Sequence, residues 1–121
     1  MDPTRILYIY QEIVPYTPET IAAKFCRELP QFIQENGDFE VRIFAPCYGI
    51  INERRNQLHE VQRLSGLNMV VDDNDYQLII KVATIQSVRL QVYFIDNEVF
   101  FRRRAMLVDE NNESFKDNDK R

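Results

Sequence analysis

Arg5-Ile6-Leu7-Tyr8-Ile9-Tyr10-Gln11 is almost continuously apolar and shows no alternation of polar and apolar residues. Such a run predicts a strand buried on both faces of a parallel sheet. The segment Glu12 to Thr17, with Pro15 inside it, reads as a loop. A helical pattern follows, with Ile21, Phe25, Leu29, Phe32 and Ile33 at spacings of three and four on one stripe. Thr17 is the expected cap, with Pro18 at the first helical position and Glu19 suited to the positive end of the helix dipole. Pro30 interrupts the stripe at a cost of about 3 kcal/mol in a straight helix, so a kink is expected there. Asn36-Gly37 ends the helix. Phe39 to Ala45 is a second apolar strand closed by Pro46, and residues 5–45 together predict a right-handed strand–helix–strand unit.

Beyond this unit the texture changes. A polar stretch from Asn52 to Gln57 leads into strand-like runs at Leu67–Asp72, Tyr76–Ile85 and Val88–Asp96, with a further short strand expected within His59–Leu64. Asp72-Asp73-Asn74-Asp75 and Gln86-Ser87 are the expected hairpin connections. The architecture predicted is therefore α/β, a strand–helix–strand followed by a β-meander. With one helix to cover a parallel sheet, a face is left bare. The expected cover is a further segment, a partner or self-association. Residues 1–108 are expected to form one incomplete lobe. The charged stretch 109–121, with Phe115 its single aromatic, is expected to be a mobile tail or the start of a truncated helix.

Composition narrows the function classes. The chain has 121 residues, 45% of them hydrophobic, enough for one core. Fifteen basic and nineteen acidic residues give a net charge of −4, which argues against nucleic acid as a partner. Arg102-Arg103-Arg104 reads as a solvated strand or loop end. No window approaches the ~20 apolar residues of a membrane span, and no signal-peptide pattern is present, so no membrane partner is expected. Two cysteines, Cys26 and Cys47, suggest reduced thiols in a cytoplasmic protein. His59 is the only histidine, so neither a zinc site nor a Ser-His-Asp set has support. Asp72 to Asp75 lacks the glycine and glutamate of a calcium loop and reads as a polar turn. No metal and no cofactor is expected.

Three segments in order carry a resemblance: Glu12-Ile13-Val14-Pro15-Tyr16 with Glu28-Leu29-Pro30, then Val41-Arg42-Ile43-Phe44-Ala45-Pro46-Cys47-Tyr48-Gly49, then Val92-Tyr93-Phe94-Ile95-Asp96-Asn97-Glu98. Over roughly residues 5–101 the chain resembles the start of bacterial glycogen and starch synthases. The resemblance implies a Rossmann-like partial lobe, the N-terminal lobe of a two-lobe glycosyltransferase. Such enzymes transfer glucose from ADP-glucose or UDP-glucose to an α-1,4-glucan, so nucleotide sugar and α-glucan are the implied partners. In the family a Lys-x-Gly-Gly-Leu loop meets the donor diphosphate. Counted without gaps, this chain has Pro18 for the lysine, Thr20 and Ile21 for the glycines and Ala22 for the leucine. Proline offers neither charge nor N–H, and β-branched residues resist close backbone approach to phosphate.

The resemblance therefore implies a degenerate donor loop and no catalytic residues in this chain alone. Ligands of open α/β sheets gather at the C-terminal ends of parallel strands. That rule singles out Glu12, Tyr16, Tyr48, Gly49, Asp96 and Asn97. The tyrosines can stack on a sugar or anchor their loops. Gly49 can permit close approach or make a turn, and Asp96-Asn97 can bind hydroxyls or form a turn. Glu12 can orient a ligand or bond local backbone. Cys47 stands where the family commonly has a basic residue, and nothing in its sequence surroundings argues for a reactive thiol. Three functions remain open: a noncatalytic synthase-like module, a glucosyltransferase component completed by a separate C-terminal lobe, and an oligomerising interaction domain.

Overall fold

The computed structural model describes residues 3–85, 89–101, 103, 106, 111 and 113–118. The elements run β1 (Thr4–Ile9), α1 (Ile21–Asn36), β2 (Phe39–Pro46), β3 (His59–Glu60), a 3-10 turn (Gln62–Leu64), β4 (Leu67–Val71), β5 (Asn74–Ile85), β6 (Leu90–Asp96) and the single helical turn α2 (Glu98–Phe101). They form one mixed sheet in the order β1-β2-β6-β5-β3, with β4 paired to β5. β1, β2 and β6 are parallel, with Ile6 opposite Val41 and Ile43 opposite Val92. β5 returns antiparallel to β6, Lys81 opposite Phe94. This is the expected α/β arrangement of strand, helix and strand followed by a meander. The predicted Asp72 turn is a tight hairpin in which Asp72 and Asp73 both take positive φ, 51° and 64°. Gln86 and Ser87 lie outside the described residues, as do Arg102 and Arg104 of the arginine run.

One face of the sheet holds the core. Val41, Ile43, Ala45, Val92 and Phe94 are fully or almost fully buried, joined by Ile13, Leu90 and Cys26. The opposite face is open at the β1 end, where Leu7 is 54% and Ile9 76% exposed. It carries an apolar cleft of about 350 Å³ between Ile9, Phe44, Met69, Ile95 and Phe100. The expectation that β1 is buried on both faces is therefore overturned. β1 has one neighbour, β2, among the described residues, and helix α1 lies on one side only.

The helix itself is phased differently from the prediction. Ala23, Cys26 and Pro30 are its buried residues, with Ile33 half-buried beside them. Of the expected core stripe, Ile21, Phe25 and Phe32 are 90%, 58% and 62% exposed on the opposite side, while Leu29 and Ile33 are half-buried. Small side chains let the helix axis approach β2 closely, and bulky ones cannot occupy that gap. Pro30 stands inside the helix as foreseen, and Gly37 follows its end in an extended conformation. Within the expected tail, Asp117 forms a two-pronged ion pair with Arg103, whose guanidinium also lies 4.7 Å from the Phe115 ring. Arg103 is thus engaged by protein groups rather than free in solvent.

Candidate functional site

The loop after β1 is built by local hydrogen bonds. Ile13 O accepts from the backbone N–H groups of Tyr16 and Thr17, and Thr17 Oγ1 both accepts from Ile13 N (3.0 Å) and donates to Ile13 O (3.3 Å). Thr17 is consumed by this turn and is buried, so it does not cap the helix as expected. The cap is Thr20, three residues later. Its hydroxyl oxygen accepts from Ala23 N at 2.9 Å and its proton goes to Glu12 Oε1 at 2.6 Å. Pro18 and Glu19 stand outside the helix, and Ile21 opens it. Residues 18–20 are therefore a lead-in and a helix cap.

The other candidates are also occupied by the protein itself. Tyr16 is buried with its ring edge-on to Phe94, centroids 5.0 Å apart. Burial pushes its hydroxyl up to about 12, with Arg27 acting against the shift. Tyr48 is buried edge-on to Phe101 at 5.9 Å. Gly49 N donates to Phe101 O, and a Cβ at Gly49 would overlap the backbone of Arg103. The close approach that requires glycine here is to the chain's own backbone. Asn97 caps α2: Oδ1 accepts from Val99 N and Phe100 N, while Nδ2 donates to Gln77 O. Tyr16 and Asn97 line separate clefts, so the six residues share the strand-end region without converging on one pocket.

Asp96 belongs to a cluster that sequence reasoning missed. Lys81 Nζ on β5 lies 2.8 Å from Asp96 Oδ2 and 2.5 Å from Glu53 Oε1 in the loop after β2. The side chains are 12%, 1% and 38% exposed respectively, so the Lys81–Asp96 pair is sealed and Glu53 closes it from the rim. Burial alone would lower the Lys81 ammonium, but hydrogen bonds to Asp96 and Glu53 outweigh it and raise the group above its ordinary value. Cys47 completes the cluster, its sulfur within 4.8 Å of both carboxylates. Three such groups could hold a metal ion, but the Lys81 ammonium already supplies the positive charge between the two carboxylates. The sequence signal was available: a lone lysine in the apolar run Tyr76–Ile85 must find a partner if it faces the core.

The remaining sequence candidates are structural. Cys26 is buried against the sheet, and burial followed by the nearby Glu12 raises its thiol. His59 is exposed on β3. Asp75 accepts from Asn68 Nδ2 at 2.8 Å across the hairpin. No helix is long and apolar enough to cross a membrane, among the described residues.

Comparison with known proteins follows the same lines. A family model described as the starch synthase catalytic domain matches residues 5–121. The glycogen synthase of Chlorobium chlorochromatii (strain CaD3) is 39% identical over 106 residues, covering 88% of this chain and 22% of the relative. That of Chlorobaculum tepidum is 38% identical over 105 residues, covering 87% and 21%. The solved catalytic domain of starch synthase IV from Arabidopsis thaliana, bound to ADP and acarbose, is similar with a TM-score of 0.74 at 20% identity. That match covers 92% of this chain and 22% of the other, and it shows the fold. The chain spans about a fifth of the length of these curated relatives.

Proposed function

Because the chain belongs to the starch synthase catalytic-domain family, we propose that it is an N-terminal lobe segment that does not transfer glucose by itself. The observation that carries this reading is the Thr20 cap. Where the family places a lysine and two glycines against the donor diphosphate, this chain has Pro18, a capping hydroxyl already bonded to Ala23 N and Glu12, and Ile21. A charge-assisted hydrogen bond to phosphate is worth about 1.5–3 kcal/mol; Pro18 removes the lysine's, and the side chains of Thr20 and Ile21 hinder the close backbone approach that glycines permit. On this reading residues 1–108 belong to the lobe segment and 109–121 follow it in sequence. Any glucan or nucleotide sugar it meets would lie at the strand ends, near Glu12, Tyr16, Tyr48, Gly49, Asp96 and Asn97.

A second reading is favoured by one finding. The relatives called glycogen synthase share 38–39% identity with this chain yet are about four times as long. On that reading the chain is a glucosyltransferase component completed by a C-terminal lobe, with other residues holding the donor diphosphate. Calorimetric titration with ADP-glucose, after circular dichroism has established folding, separates the two. The expected result is no heat at ~1 mM ligand. Binding at ~100 μM or tighter, about −5.5 kcal/mol, overturns the capped-loop reading and puts the half-enzyme first.

A further inference from the structure

Across the core-bearing face from β1, a cleft of about 340 Å³ opens between the N-terminal half of α1, the loop Asn52–Leu58 and the end of β5. Arg27 enters it from the helix and Arg55 from the loop, with Asn56, Gln57, Thr84 and the edge of Tyr16 around them. Among the described residues no acidic residue lines the cleft, in a chain whose net charge is −4. Among the described residues neither guanidinium has a carboxylate partner, whereas Arg5, Arg42 and Arg103 each do. Arg27 also borders a neighbouring groove shared with Glu19, Lys24 and Glu28.

The loop is held in place before any ligand arrives. Asn52 Oδ1 accepts from Arg55 N at 2.9 Å, Asn52 O accepts from both Asn56 N and Asn56 Nδ2, and Glu53 O accepts from Leu58 N. Gln57 sits in the left-handed region at φ 56°. Glu53 is tied through Lys81 to Asp96 at the end of β6. The buried ion triad thereby anchors the loop that presents Arg55, Asn56 and Gln57. Two guanidiniums without a carboxylate partner among the described residues, in a cleft also lined by neutral polar residues, suit a compact dianion, since arginine forks match phosphate oxygens.

We propose that this cleft binds a phosphate monoester of a small metabolite, Arg27 and Arg55 holding the phosphate and Asn56, Gln57 and Thr84 facing the organic part. The assignment is independent of the capped donor loop. Inorganic phosphate and glucose 6-phosphate are titrated into the 121-residue chain, followed by amide chemical shifts and calorimetry at constant ionic strength. Saturable shifts confined to residues of the cleft are expected. Arg55→Gln and Arg27→Gln should each weaken binding by ~10-fold or more, and Arg5→Gln, on the far edge strand, should leave it unchanged. Arg55 is exposed and, among the described residues, hydrogen-bonded through its backbone alone, so Arg55→Gln should retain the native dichroism and melting temperature.

Tighter binding of the sugar phosphate than of phosphate assigns the organic part to the cleft; equal binding leaves the site as an inorganic phosphate site. Absence of saturation below ~20 mM, or an equal loss in Arg5→Gln, overturns the proposal. ADP-glucose serves as a third titrant. Heat abolished by Arg55→Gln belongs to this cleft, whereas heat indifferent to it belongs to the strand ends and counts against the capped-loop reading alone.

Discussion

Removing the Lys81 charge while keeping its stem, as in Lys81→Met, tests whether the ion triad holds the strand ends together. Asp96 is 1% exposed and Lys81 12%, so the substitution removes the ammonium that faces a buried carboxylate on the sheet face that carries the core. Breaking a buried pair in this way costs about 3–5 kcal/mol. The Glu53 link adds little, because Glu53 is 38% exposed and a pair at that exposure is worth at most about 1 kcal/mol. A loss near 3 kcal/mol is therefore expected, against a total stability on the order of 5–15 kcal/mol for a domain of this size. Adding Asp96→Leu removes the buried carboxylate as well, and the double variant should recover most of the loss. The assay is urea unfolding followed by far-ultraviolet dichroism for the wild type, both single variants and the double. A Lys81→Met cost below ~1 kcal/mol, or single-variant losses that simply add in the double, would refute the reasoning, since a coupled pair must show a non-additive cycle.

Two further outcomes follow from the same geometry. Gly49→Ala places a Cβ against the backbone oxygen of Arg103 and 2.7 Å from its nitrogen, so a destabilisation of about 1–3 kcal/mol is expected in the same urea assay; a neutral result would mean that the 103 segment gives way freely. Alkaline pH should unfold the chain early. Burial holds Tyr16 and Tyr10 up to about 12, from an ordinary 10.0, so the unfolded state gives up these protons first. Lys81, lowered by burial but raised further by its hydrogen bonds, acts in the same sense at higher pH. Stability should thus be intact below about pH 10 and fall between about pH 10 and 12. Urea midpoints across that range should decline less steeply in Tyr16→Phe than in the wild type, and an unchanged slope would contradict the burial argument.

The element order was legible because it rests on local chemistry. The apolar run after Arg5, the stretch Phe39–Ala45 and the Asp72-Asp73 turn each announce their structure within a few residues, and each is found where expected. The family was legible for a related reason: three short segments keep their order and spacing. The phase of α1 was not. Its pattern of Ile21, Phe25, Leu29, Phe32 and Ile33 is a sound amphipathic stripe, yet the sheet buries Ala23, Cys26 and Pro30, and of the stripe Ile33 packs against the core. Periodicity shows that a helix has an apolar side, but not how close the neighbouring strand will come. The cap was misplaced by three residues because Thr17 has a competing use in the Ile13 turn, and that use depends on the loop's path.

What the sequence by itself determined is the α/β class, the strand–helix–strand opening and the hairpin at Asp72-Asp73. Only the tertiary structure decided which polar groups meet. Lys81 reaches Asp96 across 15 residues and Glu53 across 28, and Arg27 and Arg55 face one cleft from two elements. The reason is physical. Helix and turn preferences act over three or four residues, whereas the cost of burying a charge is settled by whichever distant group the packed sheet brings within hydrogen-bonding reach.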